Sequence, residues 1–142
     1  MRPGLELLIA PALLLLVSSC ADDKWATEIA CQQRLVDVPG QKMKKAGPGE
    51  IVVASSFAQL SRTYAEMPLD GCTEAQAYAA RSLSRRARHL ADTGVVAERS
   101  LHAAPSLKER EAFMNFAAGL EQFENRRRVL REELVEMKAD RR

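Results

Sequence analysis

The sequence predicts an all-α protein, a small bundle of three or four helices with a long C-terminal helix. Apolar residues recur three and four positions apart in each long segment, which is the spacing of one helix face. Aromatic residues make up only 5% of the chain, and alanine supplies much of the apolar content, which favours closely packed helices over a sheet core. The length of 142 residues fits a single domain.

The first helix of the bundle is predicted over residues 25–38. Trp25 and Ile29 lie four positions apart and are therefore neighbours on one helix face. Pro39-Gly40 ends the helix, and residues 41–49 form a basic loop whose glycines and proline exclude a regular element.

A second helix is predicted over residues 51–67 and a third over residues 73–93. Thr73 and Gln76 have the spacing of a capping box at the start of the third helix, and Gly94 is expected to cap its end. The apolar positions of the second helix follow helical steps, and small residues alternate with leucine along the inner line of the third: Val53, Phe57, Leu60, Tyr64 and Met67, then Ala80, Leu83, Ala87 and Leu90.

The C-terminal helix is predicted over residues 106–138, with Ser106 and Glu109 as a second capping box. Its apolar seam alternates steps of three and four with one charged member, as in a coiled coil: Phe113, Phe116, Leu120, Phe123, Arg127, Leu130, Leu134 and Met137. At about 1.5 Å per residue this helix is longer than the second and third helices, so its last turns are expected to overhang the bundle. Arg127, Leu130, Leu134 and Met137 are therefore the predicted partner-binding residues. The alternative is that the first helix or the connector before residue 105 covers them.

The N-terminal leader has the pattern of an export signal. Arg2 supplies a positive charge, and the apolar run from Leu7 to Val17 is shorter than the roughly 20 residues that span a bilayer as a helix. Pro11 within the run also argues against a stable spanning helix. We therefore expect cleavage of residues 1–19.

The residues Val17-Ser18-Ser19-Cys20 resemble the lipobox of bacterial lipoproteins. The resemblance covers the leader alone, and the nearby acid Glu6 departs from the usual positive character. It implies cleavage before Cys20, acylation of Cys20 with palmitate or a similar chain, and a short tether over residues 20–24. Because Ala21 follows the cysteine, the resemblance favours the periplasmic side of the outer membrane. Ordinary secretory cleavage after Ala21 is the alternative.

If Cys20 carries the lipid, Cys31 and Cys72 remain as an even pair in an oxidising compartment. We therefore expect one disulfide between them. A metal pair or a reactive thiol is the alternative, but neither cysteine has further ligands nearby in the sequence.

Few residues suggest chemistry. His89 and His102 lack partners at metal-ligand spacing, and there is neither a Gly-x-Ser-x-Gly elbow nor a glycine-rich phosphate loop. We therefore expect no enzyme activity, no metal and no cofactor. Arg81, Arg85 and Arg88 fall on one helical stripe, which is either a solvated face or a contact for lipid phosphates, lipopolysaccharide or an acidic partner.

The sequence predicts a non-enzymatic, lipid-anchored accessory or scaffolding subunit that binds a partner, or itself, through its C-terminal helix. The alternatives are a periplasmic binding or inhibitor module that uses the arginine stripe, and an envelope exclusion or defence lipoprotein. Nucleic acid is not an expected partner, because the leader exports the chain and no aromatic stacking platform accompanies the arginines.

Overall fold

A computed structural model describes the backbone of residues 10–38, 52–100 and 106–141, and the side chains of 21–38, 55–97 and 106–141. These parts contain no strand, and they form four α-helices: α1 (Ala10–Asp37), α2 (Val52–Glu66), α3 (Glu74–Ser100) and α4 (Leu107–Ala139). The predicted all-α bundle with a long C-terminal helix is confirmed.

Two predicted helix boundaries are wrong. α1 begins at Ala10 and continues through residues 20–24, where a tether was expected, because no glycine or proline interrupts the chain between Pro11 and Asp37. α3 continues to Ser100 instead of ending near residue 93. Gly94, the expected cap, is buried inside α3, where packing against the bundle offsets its low helix propensity.

Both predicted capping boxes are present. The Gln76 backbone N–H donates to Thr73 Oγ1 at 3.2 Å, and the Thr73 N–H donates to Gln76 Oε1 at 3.0 Å. At the start of α4 the Glu109 N–H donates to Ser106 Oγ at 3.3 Å, and the Ser106 N–H donates to Glu109 Oε2 at 2.7 Å. The hydrogen bonds from Ser106 lower the pKa of the Glu109 carboxyl.

Helices α2, α3 and α4 share one apolar core, in which α3 packs against both other helices and α2 and α4 supply the aromatic rings. The ring of Phe57 on α2 meets those of Phe116 and Phe123 on α4 edge to face, at centroid distances of 6.2 and 5.7 Å. Tyr64 on α2 meets Phe123 in the same geometry at 6.4 Å. Edge-to-face pairs add to the stabilisation from apolar burial, so these rings are the centre of the core.

Small residues on α3 let its neighbours approach closely. Ala79, Ala80 and Ala87 are buried there beside Leu83 and Leu90. Across the α2–α3 contact, the Ser61 hydroxyl donates to the Ser84 carbonyl at 2.9 Å and the Ser84 hydroxyl donates to the Ser61 carbonyl at 2.8 Å. This reciprocal pair satisfies two hydroxyls at the interface and fixes the register of the two helices.

The predicted disulfide joins α1 to the segment before α3. Cys31 and Cys72 lie 2.01 Å apart at their sulfur atoms and 5.3 Å apart at their Cα atoms. The bridge closes a sequence separation of 41 residues. It attaches α1 covalently to the end of the bundle where α2 finishes and α3 begins.

The turn that carries Cys72 requires glycine at position 71. Gly71 has a φ of 72°, in the left-handed region that disfavours other residues. A Cβ built on it would lie 2.8 Å from Cβ of Thr27 on α1, so there is no room for a side chain. The Cys72 N–H then donates to the Leu69 carbonyl at 3.0 Å, which closes the turn.

A buried glutamine pair connects α1 to both neighbours. The Gln76 amide donates to the Glu28 carbonyl at 2.9 Å and to Gln32 Oε1 at 3.1 Å. The Gln32 amide in turn donates to the Leu130 carbonyl on α4 at 3.0 Å and to Glu133 Oε2 at 3.1 Å. Because Gln32 and Gln76 are almost completely buried, these bonds set the position of α1 on the bundle.

Candidate partner-binding surfaces

The predicted partner-binding residues at the end of α4 are covered by the protein's own first helix. Leu130 and Leu134 are only 2% and 6% exposed, and Met137 is half-buried. The expected overhang is therefore wrong, and the alternative that the first helix covers these residues is correct. The physical reason is that α1 packs against the last turns of α4 and donates the Gln32 hydrogen bond to the Leu130 carbonyl.

Arg127, the charged member of the seam, also faces inward. Its side chain is 17% exposed, and Nη1 donates to Glu124 Oε1 at 2.8 Å. Its guanidinium carbon lies 5.8 Å from the centre of the Phe123 ring, within cation–π range. Arg127 therefore contributes to the core edge and offers little surface to a partner.

Two polar groups beside the aromatic core lack a hydrogen bond within the described part of the chain: the Tyr64 hydroxyl and Nε of Arg127. Burial raises the pKa of Tyr64 to about 12, partly offset by the positive charge of Arg127. The sequence predicted Tyr64 as a core residue, but nothing in its spacing indicated that the hydroxyl would be unpaired.

The arginine stripe of α3 is a surface feature. Arg81, Arg85 and Arg88 are all exposed, on the side of the helix opposite buried Leu83 and Ala87. None of the three makes a side-chain hydrogen bond or a salt bridge to any residue in the described ranges. We call these three residues the basic face.

Two arginines of α4, Arg127 and Arg128, are paired with neighbours in the same helix. Arg128 donates to Glu132 Oε1 at 2.7 Å and to Asn125 Oδ1 at 2.6 Å. Glu124 accepts from Arg127 on the same helix. This pairing distinguishes Arg127 and Arg128 from the three arginines of the basic face on α3.

A groove between α3 and α4 was not predicted. It has a volume of about 450 Å³ and runs beside the basic face. Its polar lining comes from both helices: Tyr78, Ser82, Arg86, Gln122, Asn125 and Arg126. Positions 78, 82 and 86 lie four residues apart and therefore on one side of α3. Only the packing of α3 on α4 brings positions 122, 125 and 126 alongside them.

Within the described ranges, no three His, Cys, Asp or Glu side chains form a group that could hold a metal ion. His89 is exposed, whereas His102 and the basic loop 41–49 lie outside the described residues.

The proposed lipid site, Cys20, lies within the backbone of α1, but its side chain and residues 1–9 of the leader lie outside the described residues. No helix in the described part is both long and apolar enough to cross a membrane.

Comparison with known proteins found no match for this chain among protein-family models, curated proteins or solved structures.

Proposed function

We propose that this protein is a non-enzymatic lipoprotein of the bacterial envelope that binds an acidic partner protein through the basic face of α3. The lipobox-like residues Val17 to Cys20 support export and acylation at Cys20. The outer membrane, on its periplasmic side, is the proposed location. In this role the folded helices form a binding module or accessory subunit held at the membrane.

The observation that carries the proposal is the lack of intramolecular partners for Arg81, Arg85 and Arg88 within the described residues. Three cations on one side of a helix, spread over about 10 Å, produce a local positive potential that attracts acidic groups. Their charges are not neutralised by neighbouring carboxylates, as those of Arg127 and Arg128 are. The basic face is therefore available for complementary charge.

The basic face is accessible in the folded bundle, whereas the apolar end of α4 is not. Leu130 and Leu134 are in the core, so a partner could reach them only after α1 moved away. A partner can reach the basic face without any rearrangement of the bundle. Accessory or scaffolding function is thus assigned to α3 in place of the C-terminal helix.

Charge reversal tests the basic face. The probe is a fluorescent decaglutamate peptide, and binding is followed by anisotropy at low and high salt. We expect R81E/R85E/R88E to weaken binding by at least about tenfold, and rising salt to weaken wild-type binding because screening reduces contacts between exposed charges.

The matched control is R62E/R110E/R131E, which reverses three exposed arginines elsewhere with the same change in net charge. Equal loss in both triple variants would show attraction by net charge alone and would overturn the assignment to α3.

A separate experiment tests the lipid anchor. Cys20→Ala should move the protein from the membrane fraction to the soluble fraction. Unchanged fractionation, with no lipid mass on the wild type, would exclude acylation at Cys20.

A further inference from the structure

The α3/α4 groove has an unusual balance of hydrogen-bond donors and acceptors. Its described lining includes two guanidinium groups, from Arg86 and Arg126, and no Asp or Glu. The neighbouring depression on α4 provides a contrast, since its lining includes both Glu121 and Glu124. The groove therefore favours a negatively charged occupant, whereas the neighbouring depression has its own acidic groups.

Most donors in the groove are unused. Arg86 Nη1 donates to Gln122 Oε1 at 3.2 Å, which leaves its other N–H groups without partners among the described residues. Arg126 makes no side-chain hydrogen bond to any of the described residues. Its nearest carboxylate oxygen, Glu133 Oε1, is 4.0 Å from Nη1, which is too long for a hydrogen bond, and both side chains are more than 40% exposed. The second oxygen of Glu133 already accepts from Gln32.

The shape of the groove positions these donors around an open space. Ala79 is 2% exposed and lies at the base, where its small side chain leaves room above it. Tyr78 is 60% exposed and presents a ring and a hydroxyl at the side. The bond from Arg86 to Gln122 crosses from α3 to α4, so it holds one guanidinium at the groove before any ligand arrives.

We propose that the α3/α4 groove is a binding site for a small ligand that carries an oxyanion, a phosphate or a carboxylate. The planar guanidinium fork of Arg86 or Arg126 matches two oxygens of either group. The hydroxyls of Tyr78 and Ser82 and the amide of Asn125 supply further donors. This site is independent of the basic face, which lies on the outward side of α3 and contributes none of the groove's lining.

The test follows arginine Nε–Hε and backbone amide resonances of the full chain during titration with inorganic phosphate, with succinate, and with sodium chloride at matched ionic strength. We expect the saturable shifts to be largest at the lining positions 78, 79, 82, 86, 122, 125, 126 and 129, and larger there than at Arg81, Arg85 and Arg88, with phosphate, with succinate or with both. Saturation by phosphate alone identifies a phosphorylated ligand, and saturation by succinate alone identifies a carboxylated one.

Two single variants locate the site. Arg86→Gln and Arg126→Gln should each weaken binding about tenfold, the loss expected for one charge-assisted hydrogen-bond pair. Arg110→Gln is the control, because Arg110 is exposed about 24 Å away along α4. Arg86 is exposed, so Arg86→Gln keeps the test valid if Arg126→Gln alters the amide spectrum outside the groove.

Three results would overturn the proposal: equal shifts with chloride, no saturation with either oxyanion, or equal weakening in Arg110→Gln. The triple variant R81E/R85E/R88E should retain the saturable shifts. Failure of the basic face would therefore leave this site intact, and failure of the groove would leave the basic face to be judged on its own.

Discussion

The bundle of α2, α3 and α4 and the attachment of α1 are held by different kinds of contact. The first has a core of interlocked rings and leucines, with Phe57, Phe123 and Leu83 at its centre. The second combines apolar burial, of Leu35 on α1 and of Leu130 and Leu134 on α4, with the Cys31–Cys72 disulfide and a set of hydrogen bonds from glutamine side chains. Apolar burial is non-directional, whereas a disulfide and buried amides each require one geometry.

Directional contacts explain how α1 is kept in place on the bundle of α2, α3 and α4. Apolar contact alone fixes the position of a terminal helix less sharply than directional bonds do, because apolar burial is non-directional. Here Gln32 and Gln76 lose hydrogen bonds with any shift, and Cys31 cannot move from Cys72. The position of α1 therefore depends on a few directional contacts, each of which can be removed separately.

Removal of the disulfide should have the largest effect. For a separation of 41 residues, the loop-entropy model gives about 4 kcal/mol of stability lost in the Cys31→Ala/Cys72→Ala variant. We expect hydrogen-exchange protection to fall more in α1 than around Leu83 and Phe123, where only the loss of global stability applies. Denaturant unfolding and native-state hydrogen exchange measure the two quantities.

A reductant provides the control for this experiment. It should destabilise the wild type and leave the double variant unchanged. If protection around Phe123 fell as much as protection in α1, the two regions would form one cooperative unit and the comparison would fail.

Alkaline pH should act on the aromatic core through Tyr64. Its pKa is about 12 in the folded protein, above the ordinary value near 10, so the unfolded chain loses the proton first as pH rises. The contribution of Tyr64 to stability is therefore constant below about pH 10 and falls by about 2 to 3 kcal/mol between pH 10 and 12. Urea unfolding across this range measures the loss.

Tyr64→Phe isolates this contribution from other groups that titrate at high pH. The variant should lack that part of the alkaline loss. At neutral pH it should be at least as stable as the wild type, because the hydroxyl that it removes is buried without a partner among the described residues. An alkaline loss of the same size in both proteins would rule out Tyr64 as its source.

Gln76→Leu should have the smallest of the three effects, about 2 kcal/mol, because it leaves Gln32 Oε1 and the Thr73 N–H without partners. The loss should again appear in α1 before it appears in α3 or α4. Gln59→Leu is the control on α2, since the Gln59 side chain is exposed, and it should change stability by less than about 0.5 kcal/mol. Thermal unfolding of both variants gives the comparison, and equal losses would show that the glutamine network does not hold α1.

Sequence reasoning predicted the helices, both capping boxes and the pairing of cysteines, because each depends on neighbours within a few positions or on the small number of cysteines. It also assigned Phe116, Phe123 and Leu130 to one inward line of α4. It was wrong about what faces that line near the C-terminus. Spacing identifies the apolar side of a helix, but the element that covers it depends on how the other helices cross.

The candidate sites differ in the same respect. The basic face could be predicted because its three arginines belong to one helix and repeat with its period. The groove could not be predicted, because Arg86 and Arg126 line the same groove only through the packing of α3 on α4. No pattern within either helix specifies the other helix as its neighbour.

By itself, the sequence determined the all-helical class, the start of α4 at its capping box, the arginine stripe and the two cysteines available for a bridge. These follow from local propensity, period and count. The tertiary structure decided that α1 covers Leu130 and Leu134, that Gln32 and Gln76 meet in the interior, and that a donor-rich groove lies between α3 and α4. Those features join residues from distant parts of the chain, so they depend on how whole helices pack, which no local sequence pattern specifies.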